Sequence, residues 1–212
     1  MIIVNQGHEF ITPLTYERGK QIIANIENIA RTCYRSEDSI KEGSAERMIR
    51  TLIRRGHGAM LEHESISVRC HTDRAIANEM VRHRMASYAQ ESTRYCNYSK
   101  EKFQNQIAVV APFPMEKNPH AYAEWFKAAS CAEQAYLNML HYGATPEQAR
   151  DILPNCLATE IVITANMREW RHIMSLRTAE DAHPKLRQLM KGILQDFQKT
   201  IPVLFDDIEV PE

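Results

Sequence analysis

Seven glycines are scattered through the 212 residues, and none falls into a Gly-x-Gly-x-x-Gly or Walker pattern. A dinucleotide or phosphate would therefore have to be held by side chains and helix ends. The five cysteines, Cys33, Cys70, Cys96, Cys131 and Cys156, are odd in number, widely spaced and form no Cys-x-x-Cys pair. That argues against a disulfide framework or zinc ribbon and suits a reducing compartment. His57, Glu62, His63, Glu64 and His71 lack the His-Glu-x-x-His spacing that puts two imidazoles on one helix face, so no metal is expected. Gly-x-Ser-x-Gly is missing as well, which leaves Ser92 without a nucleophile elbow or an assigned base. The formal net charge is −1 and the isoelectric point about 6.8, which argues against coating nucleic acid or anionic membrane. No apolar run approaches the roughly 20 residues that span a bilayer, and Met1-Ile-Ile-Val-Asn-Gln-Gly is too short and uncharged for a signal peptide. The expectation is a soluble, cytoplasmic protein with neither membrane nor nucleic acid as partner.

What the chain does have is arginine in one place. Residues 47 to 94 hold nine arginines and no lysine, although the chain has 26 Lys+Arg. Arginine presents a planar fork of donors that grips phosphate or carboxylate bidentately, so an arginine-only stretch points to oriented anion binding. The arginines of 47–55 read as a solvated helical face. Arg82-His-Arg-Met-Ala-Ser-Tyr-Ala-Gln-Glu-Ser-Thr-Arg-Tyr95 is different, because it crowds donors of several kinds into one segment.

Periodicity predicts an α+β fold in a single domain over 1–212, mainly an antiparallel sheet with packed helices. Ile2 to Val4 reads as a short strand, and Thr15 caps a helix with the stripe Ile22, Ile26, Ile29 and Cys33. A second helix from Ser44 turns Met48, Ile49, Leu52 and Ile53 inward and stops at Gly56; a loop from His57 to His63 follows. Ile66, Val68 and Cys70 alternate with polar residues in a strand over 65–71. Asp73 caps a helix carrying Ala77, Val81, Met85 and Tyr88, with the Arg-His-Arg triplet in its second half. Beyond a polar loop over 97–118, a long helix over 120–142 closes at Gly143. Thr145-Pro-Glu-Gln148 is a capping box that opens a short helix carrying Arg150. Residues 157–165 form a strand. Asn166-Met-Arg-Glu169 is a second capping box, opening a helix to Arg177 with the stripe Trp170, Ile173, Met174 and Arg177. A last helix from Pro184 packs Leu186, Met190, Ile193 and Phe197 and ends before Pro202.

Arg177 stands out because it occupies a slot on an otherwise apolar helix face. It is either a snorkelling arginine or a buried ion pair, for example with Glu180 or Asp181, or a preorganised donor that stabilises developing negative charge on a ligand. Cys96 reads as an unreactive thiol, since nothing in the sequence lowers its pKa. A different class of protein is also open at this point: an RNA- or nucleotide-binding module using Arg82, Arg84 and Arg94 for phosphate and Tyr88 and Tyr95 for stacking.

Arg82-His83-Arg84 followed by seven residues and Ser92 resembles the signature of the flavin-dependent thymidylate synthases, the type that dispenses with a cysteine nucleophile. The likeness extends over Ala30-Arg-Thr-Cys-Tyr34, His57 to His63, Glu79 to Tyr95, Arg150 and Asn166 through Arg177. Many members carry Ser/Thr-Pro where this chain has Ala59-Met60, which leaves a backbone contact at Ala59. The resemblance implies reductive methylation of dUMP to dTMP with FAD as cofactor, and methylenetetrahydrofolate and NADPH as co-substrates. It implies that His57, Ala59, Arg82, His83, Arg84, Gln90, Asn166, Arg168 and His172 face FAD. It implies that Glu79, Arg82, Gln90, Glu91, Ser92, Arg94, Arg150 and Arg177 face dUMP, with Arg177 catalytic. It also implies a homotetramer whose active sites are shared between subunits.

Overall fold

The computed structural model describes residues 1–209. A four-stranded antiparallel sheet has the order β2-β3-β6-β4, from β2 (Gly7–Phe10), β3 (Ser65–Asp73), β4 (Ala86–Gln90) and β6 (Ala158–Asn166). With the helices, this is the α+β architecture expected from the sequence. Contacts divide the chain into two units. The first takes Met1–Gly7, Arg69–Arg82 and Tyr88–Val162; the second takes His8–Val68, His83–Ser87 and Ile163 to the last described residue.

In the first unit, β1 (Ile2–Val4) lies parallel to β5 (Ala108–Val110), with Ile3 opposite Val109. Helices α3 (Arg74–Met80), α4 (Pro119–His141) and α5 (Pro146–Ala149) complete it. Tyr98, Ile107, Val109, Tyr136, Ala149 and Leu157 form its apolar centre. Caps appear where side-chain oxygens meet orphan helix N–H groups: Asp73 accepts from Ile76 N–H at 2.8 Å, and both halves of the Thr145–Gln148 capping box are made.

The second unit holds α1 (Tyr16–Thr32), α2 (Ser44–Arg54), α6 (Met167–Arg177), α7 (Pro184–Thr200) and α8 (Pro202–Phe205). Trp170 is fully buried, its indole N–H donates to the Ile66 carbonyl at 3.0 Å, and its ring meets Phe197 edge-on at 5.5 Å. Phe197 in turn stacks on Phe205 at 4.5 Å. Gly56 ends α2 in the left-handed conformation at φ 69°, where a glycine avoids the Cβ penalty. Gly19 answers a different need. A Cβ there would lie 2.8 Å from the Thr200 carbonyl oxygen, closer than a carbon and a backbone oxygen can stand.

Several expectations need correction. The buried residues of α1 are Gly19, Ile22, Ile26, Glu27 and Ala30, whereas Ile29 is half-buried and Cys33 exposed. Helix α3 stops at Met80, and the triplet lies in a turn that leads into β4. Val81 and Met85 are 38% and 72% exposed, so their helical spacing marks no core stripe. The turn is favoured because it buries His83 and because the Tyr88 hydroxyl donates to the Met80 carbonyl at 2.8 Å, filling one of the acceptors the helix end leaves open. Strands β2, β4 and β5, helix α8 and the 3-10 turn over Gly58–His63 were not foreseen.

Candidate functional site

Helix α6 builds a cluster of polar side chains in the second unit. Asn166 caps it as expected, accepting from Glu169 N–H at 2.8 Å, but no return bond from Glu169 to the Asn166 backbone completes a capping box. The Glu169 carboxylate instead reaches within 3.6 Å of His83 Nδ1, with the two side chains only 11% and 6% exposed. On the other side of the ring, Arg177 Nε donates to His83 Nε2 at 2.9 Å. His172 sets its ring edge-on to His83 at 5.7 Å. Arg177 is half-buried, and through Nε it bonds this histidine, a partner that helical spacing does not offer.

This geometry fixes a protonation state. A guanidinium only donates, so His83 Nε2 is an acceptor, the imidazole is neutral and its proton sits on Nδ1, facing Glu169. Burial, then the adjoining Arg177 cation and His172, lower the His83 pKa to about 4. Burial raises that of Glu169, opposed by His172 and Arg168. His83, Glu169 and His172 hold their ligand atoms within 4.8 Å of one another, the one such group among the described residues. The permanent cation bonded to His83 opposes a metal ion there; the ring of His83 is held by a hydrogen bond from Arg177, a carboxylate 3.6 Å away and the edge-on ring of His172.

The same unit contains two neighbouring cavities. One, of about 320 Å³, is lined by Ala30, Tyr34, Leu52, His57, Ala59 and Arg168, among others. Arg168 also pairs with Glu62 at 2.6 Å, and a Cβ on Gly58 would lie 2.8 Å from its Nε. Any larger residue at position 58 would displace the Arg168 side chain from its place against this backbone. The other cavity, of about 420 Å³, shares Ala30, Tyr34, Leu52 and His57 and adds Arg31, Lys41, Arg47 and Arg55. Arg47 and Arg55 are exposed, as the solvated face read from sequence requires, and also border this cavity; Arg50, likewise exposed, pairs with Asp206 at 2.6 Å. Arg84 is exposed beside the buried His83.

The first unit carries most of the residues assigned to nucleotide. Gln90 Nε2 donates to Thr159 Oγ1 at 3.4 Å. Glu91 accepts from the Tyr98 hydroxyl at 2.9 Å, and burial together with this carboxylate raises the Tyr98 pKa, keeping the phenol a donor. Glu91 also lines a cavity of about 380 Å³ with His71, Thr72, Tyr98, Thr159 and Glu160. Ser92 is exposed in a turn, its carbonyl accepting from Cys96 N–H at 3.0 Å. Arg94 pairs with Glu147 at 3.2 Å, Glu79 is half-buried, and Arg82 and Arg150 are exposed. Tyr88, proposed from sequence as a stacking residue of an RNA-binding module, is half-buried with its hydroxyl bonded to the Met80 carbonyl. Burial pushes the Cys70 thiol up to about 12, and burial and Glu91 raise that of Cys96, so neither is an activated nucleophile.

Sequence reasoning missed Glu169 as a partner of His83, together with the cavity cations Arg31, Lys41, Arg47 and Arg55. The available signals were the i, i+3 spacing of Glu169 and His172 on one helix face and the absence of lysine from α2.

The second unit has the chemistry of a site for a flat aromatic ligand that carries anionic groups: apolar walls, one guanidinium, and a rim of further cations. The thymidylate synthase complementing protein family model matches residues 16–203, and the chain belongs to that family. It is 31% identical to a flavin-dependent thymidylate synthase of Mycolicibacterium gilvum over 88% of this chain and 80% of that protein. It is 30% identical to one of Pyrococcus furiosus over 77% of this chain and 67% of that protein. Its fold is that of a UMP/dUMP methylase from Streptomyces cacaoi, solved bound with 5-Br dUMP, with TM-score 0.79 and 21% identity over 97% of this chain and 96% of that one.

Proposed function

We propose that this chain converts dUMP to dTMP as a flavin-dependent thymidylate synthase, with methylenetetrahydrofolate as carbon donor and NADPH as reductant. The observation that carries the reading is the meeting of His57, Ala59 and Arg168 at one cavity, since the resemblance had assigned these three to FAD. The donor set suits that cofactor. Apolar walls fit an isoalloxazine, and Arg31, Lys41, Arg47 and Arg55 in the adjoining cavity offer charge for a pyrophosphate. When bound, FAD supplies the hydride that completes the methyl group.

The protein's own residues have the remaining work. Arg177 donates to the uracil ring where negative charge develops while C5 forms its bond to the methylene carbon, an interaction of a kind that supplies roughly 3 kcal/mol in the transition state. No thiol needs to add to the ring, in keeping with the raised Cys70 and Cys96 pKa values. Arg82, His83, Arg84, Gln90, Asn166 and His172 are the further flavin contacts in this reading. Glu79, Arg82, Gln90, Glu91, Ser92, Arg94 and Arg150 bind dUMP. Because both ring nitrogens of His83 face protein groups, its flavin contact would be through a ring carbon or the backbone. The whole of 1–212 acts as one catalytic domain in a homotetramer, in the cytoplasm; among the described residues no helix is long and apolar enough to cross a membrane.

The test is anaerobic NADPH oxidation by the purified protein with and without dUMP, followed by assay of dTMP after adding methylenetetrahydrofolate. Absence of dTMP from flavin-loaded protein overturns the reading. Arg177→Ala should lower turnover by about 10²-fold or more while dUMP still binds; retention of most turnover removes Arg177 from the mechanism.

A further inference from the structure

We infer that Glu169 and His83 are positioning residues for Arg177, forming a chain that fixes the plane in which its guanidinium is presented. The inference rests on the assignment of Arg177 to catalysis, and it concerns two side chains to which nothing above gives this role.

The contact to His83 is made at Nε, the nitrogen at the base of the guanidinium fork. Nε–H lies in the guanidinium plane, so an acceptor there restrains rotation about the Cδ–Nε bond and sets the plane in which the group is presented. The acceptor must itself be held in place and in the right tautomer. A ring protonated on Nε2 would set N–H against N–H and repel Arg177. Glu169, 3.6 Å from Nδ1 and only 11% exposed, favours the proton on Nδ1 and so keeps Nε2 open as an acceptor. The 3.6 Å separation is longer than a hydrogen bond and acts electrostatically, which the low exposure of both groups strengthens. His172 closes the far side of the ring edge-on, so the imidazole has little room to turn.

The local sequence favours the arrangement. Glu169 lies at the third position of α6, where a capping box would have drawn its carboxylate back to the Asn166 N–H. Asn166 caps the helix through its own side chain, and Glu169 is directed to the histidine. Arg177, in the last turn of the same helix, reaches the opposite nitrogen of the same ring. One helix thus grips both nitrogens of a residue that comes from the turn before β4.

The experiment is a double-mutant cycle on the flavin-loaded enzyme, reading dTMP turnover, dUMP affinity by calorimetry and flavin content by absorbance. Glu169→Ala is expected to reduce turnover about tenfold, with flavin content unchanged and dUMP affinity within about threefold. Glu169→Gln, which keeps an acceptor oxygen for Nδ1–H, is expected to recover most of the loss. In an Arg177→Ala background, Glu169→Ala is expected to change turnover by less than about twofold, because nothing remains to be positioned. An equal loss in both backgrounds, loss of flavin on Glu169→Ala, or full turnover of that variant in the Arg177 enzyme overturns the inference. A fully active Arg177→Ala enzyme instead overturns the catalytic assignment, so the two failures are distinct. The ¹⁵N spectrum of the unaltered protein near pH 7 gives a test that no folding defect can confound: His83 protonated on Nε2 overturns the proposal, and protonation on Nδ1 supports it.

Discussion

His83 makes the stability of this protein depend on pH in a calculable way. Its pKa is about 4 in the folded chain against 6.5 for an unperturbed histidine. Between those values the unfolded chain binds a proton that the folded chain refuses. Stability therefore rises with pH across that window and is lost as pH falls from about 6.5 towards 4. For these two pKa values, acidifying from pH 7 to pH 5 should remove about 2 kcal/mol through this one group, with a ceiling of about 3 kcal/mol at lower pH. The assay is urea unfolding at pH 7 and pH 5, at one fixed protein concentration, for the natural chain and for His83→Gln. Glutamine offers an acceptor to Arg177 and cannot be protonated in this range, while the other titrating groups remain the same in both proteins. With a denaturant slope of about 2 kcal/mol per M, the midpoint of the natural chain should fall about 1 M further than that of the variant. Parallel behaviour, within about 0.5 kcal/mol, would falsify the neutral, buried histidine and the Arg177 bond that requires it.

Three more outcomes are expected. Trp170→Phe keeps an aromatic ring in the core but removes the donor to Ile66 O; unfolding free energy should fall by about 2 kcal/mol, and a change below 0.5 kcal/mol would show that the carbonyl finds another partner. Gly58→Ala places a Cβ within 2.9 Å of Arg168 Cδ, so Arg168 must move; flavin retention during purification should drop about tenfold with little change in melting temperature, and unaltered retention would remove Arg168 from the flavin site. Cys96→Ser should remain active within about threefold, because burial and Glu91 keep that thiol protonated; a folded, flavin-replete but inactive variant would restore the case for a cysteine nucleophile.

The helix starts were legible because a cap is a local transaction between a side chain and the next turn: Thr15, Asp73, Thr145 and Asn166 all cap where the sequence placed them. Helix α8 and strand β5 were not, since β5 has only three residues and takes its form from β1, more than a hundred positions away. The triplet was misread for a related reason. Ala77, Val81 and Met85 have helical spacing, and only the tertiary structure reveals that the last two face solvent. Glu169 had two compatible fates, a cap a few residues back or an electrostatic contact with a histidine far off in sequence, and local pattern favours the nearer. Arg177 stood out in sequence as a cation on an otherwise apolar face, but its bond to a histidine 94 positions earlier lies beyond any helical repeat.

The missing side chain at Gly19 acts at a distance. Helix α1 is a stiff rod, and Gly19 lies near its start against Thr200 O, while Ala30, about 16 Å further along at 1.5 Å per residue, forms a wall of both ligand-sized cavities. An alanine at position 19 would push that end outward by several tenths of an ångström, and a rod pivoting on Ile22 and Ile26 would swing its other end the opposite way. The width of the cavities is thus set partly from the far end of the helix, by a hydrogen standing where any other residue carries a carbon.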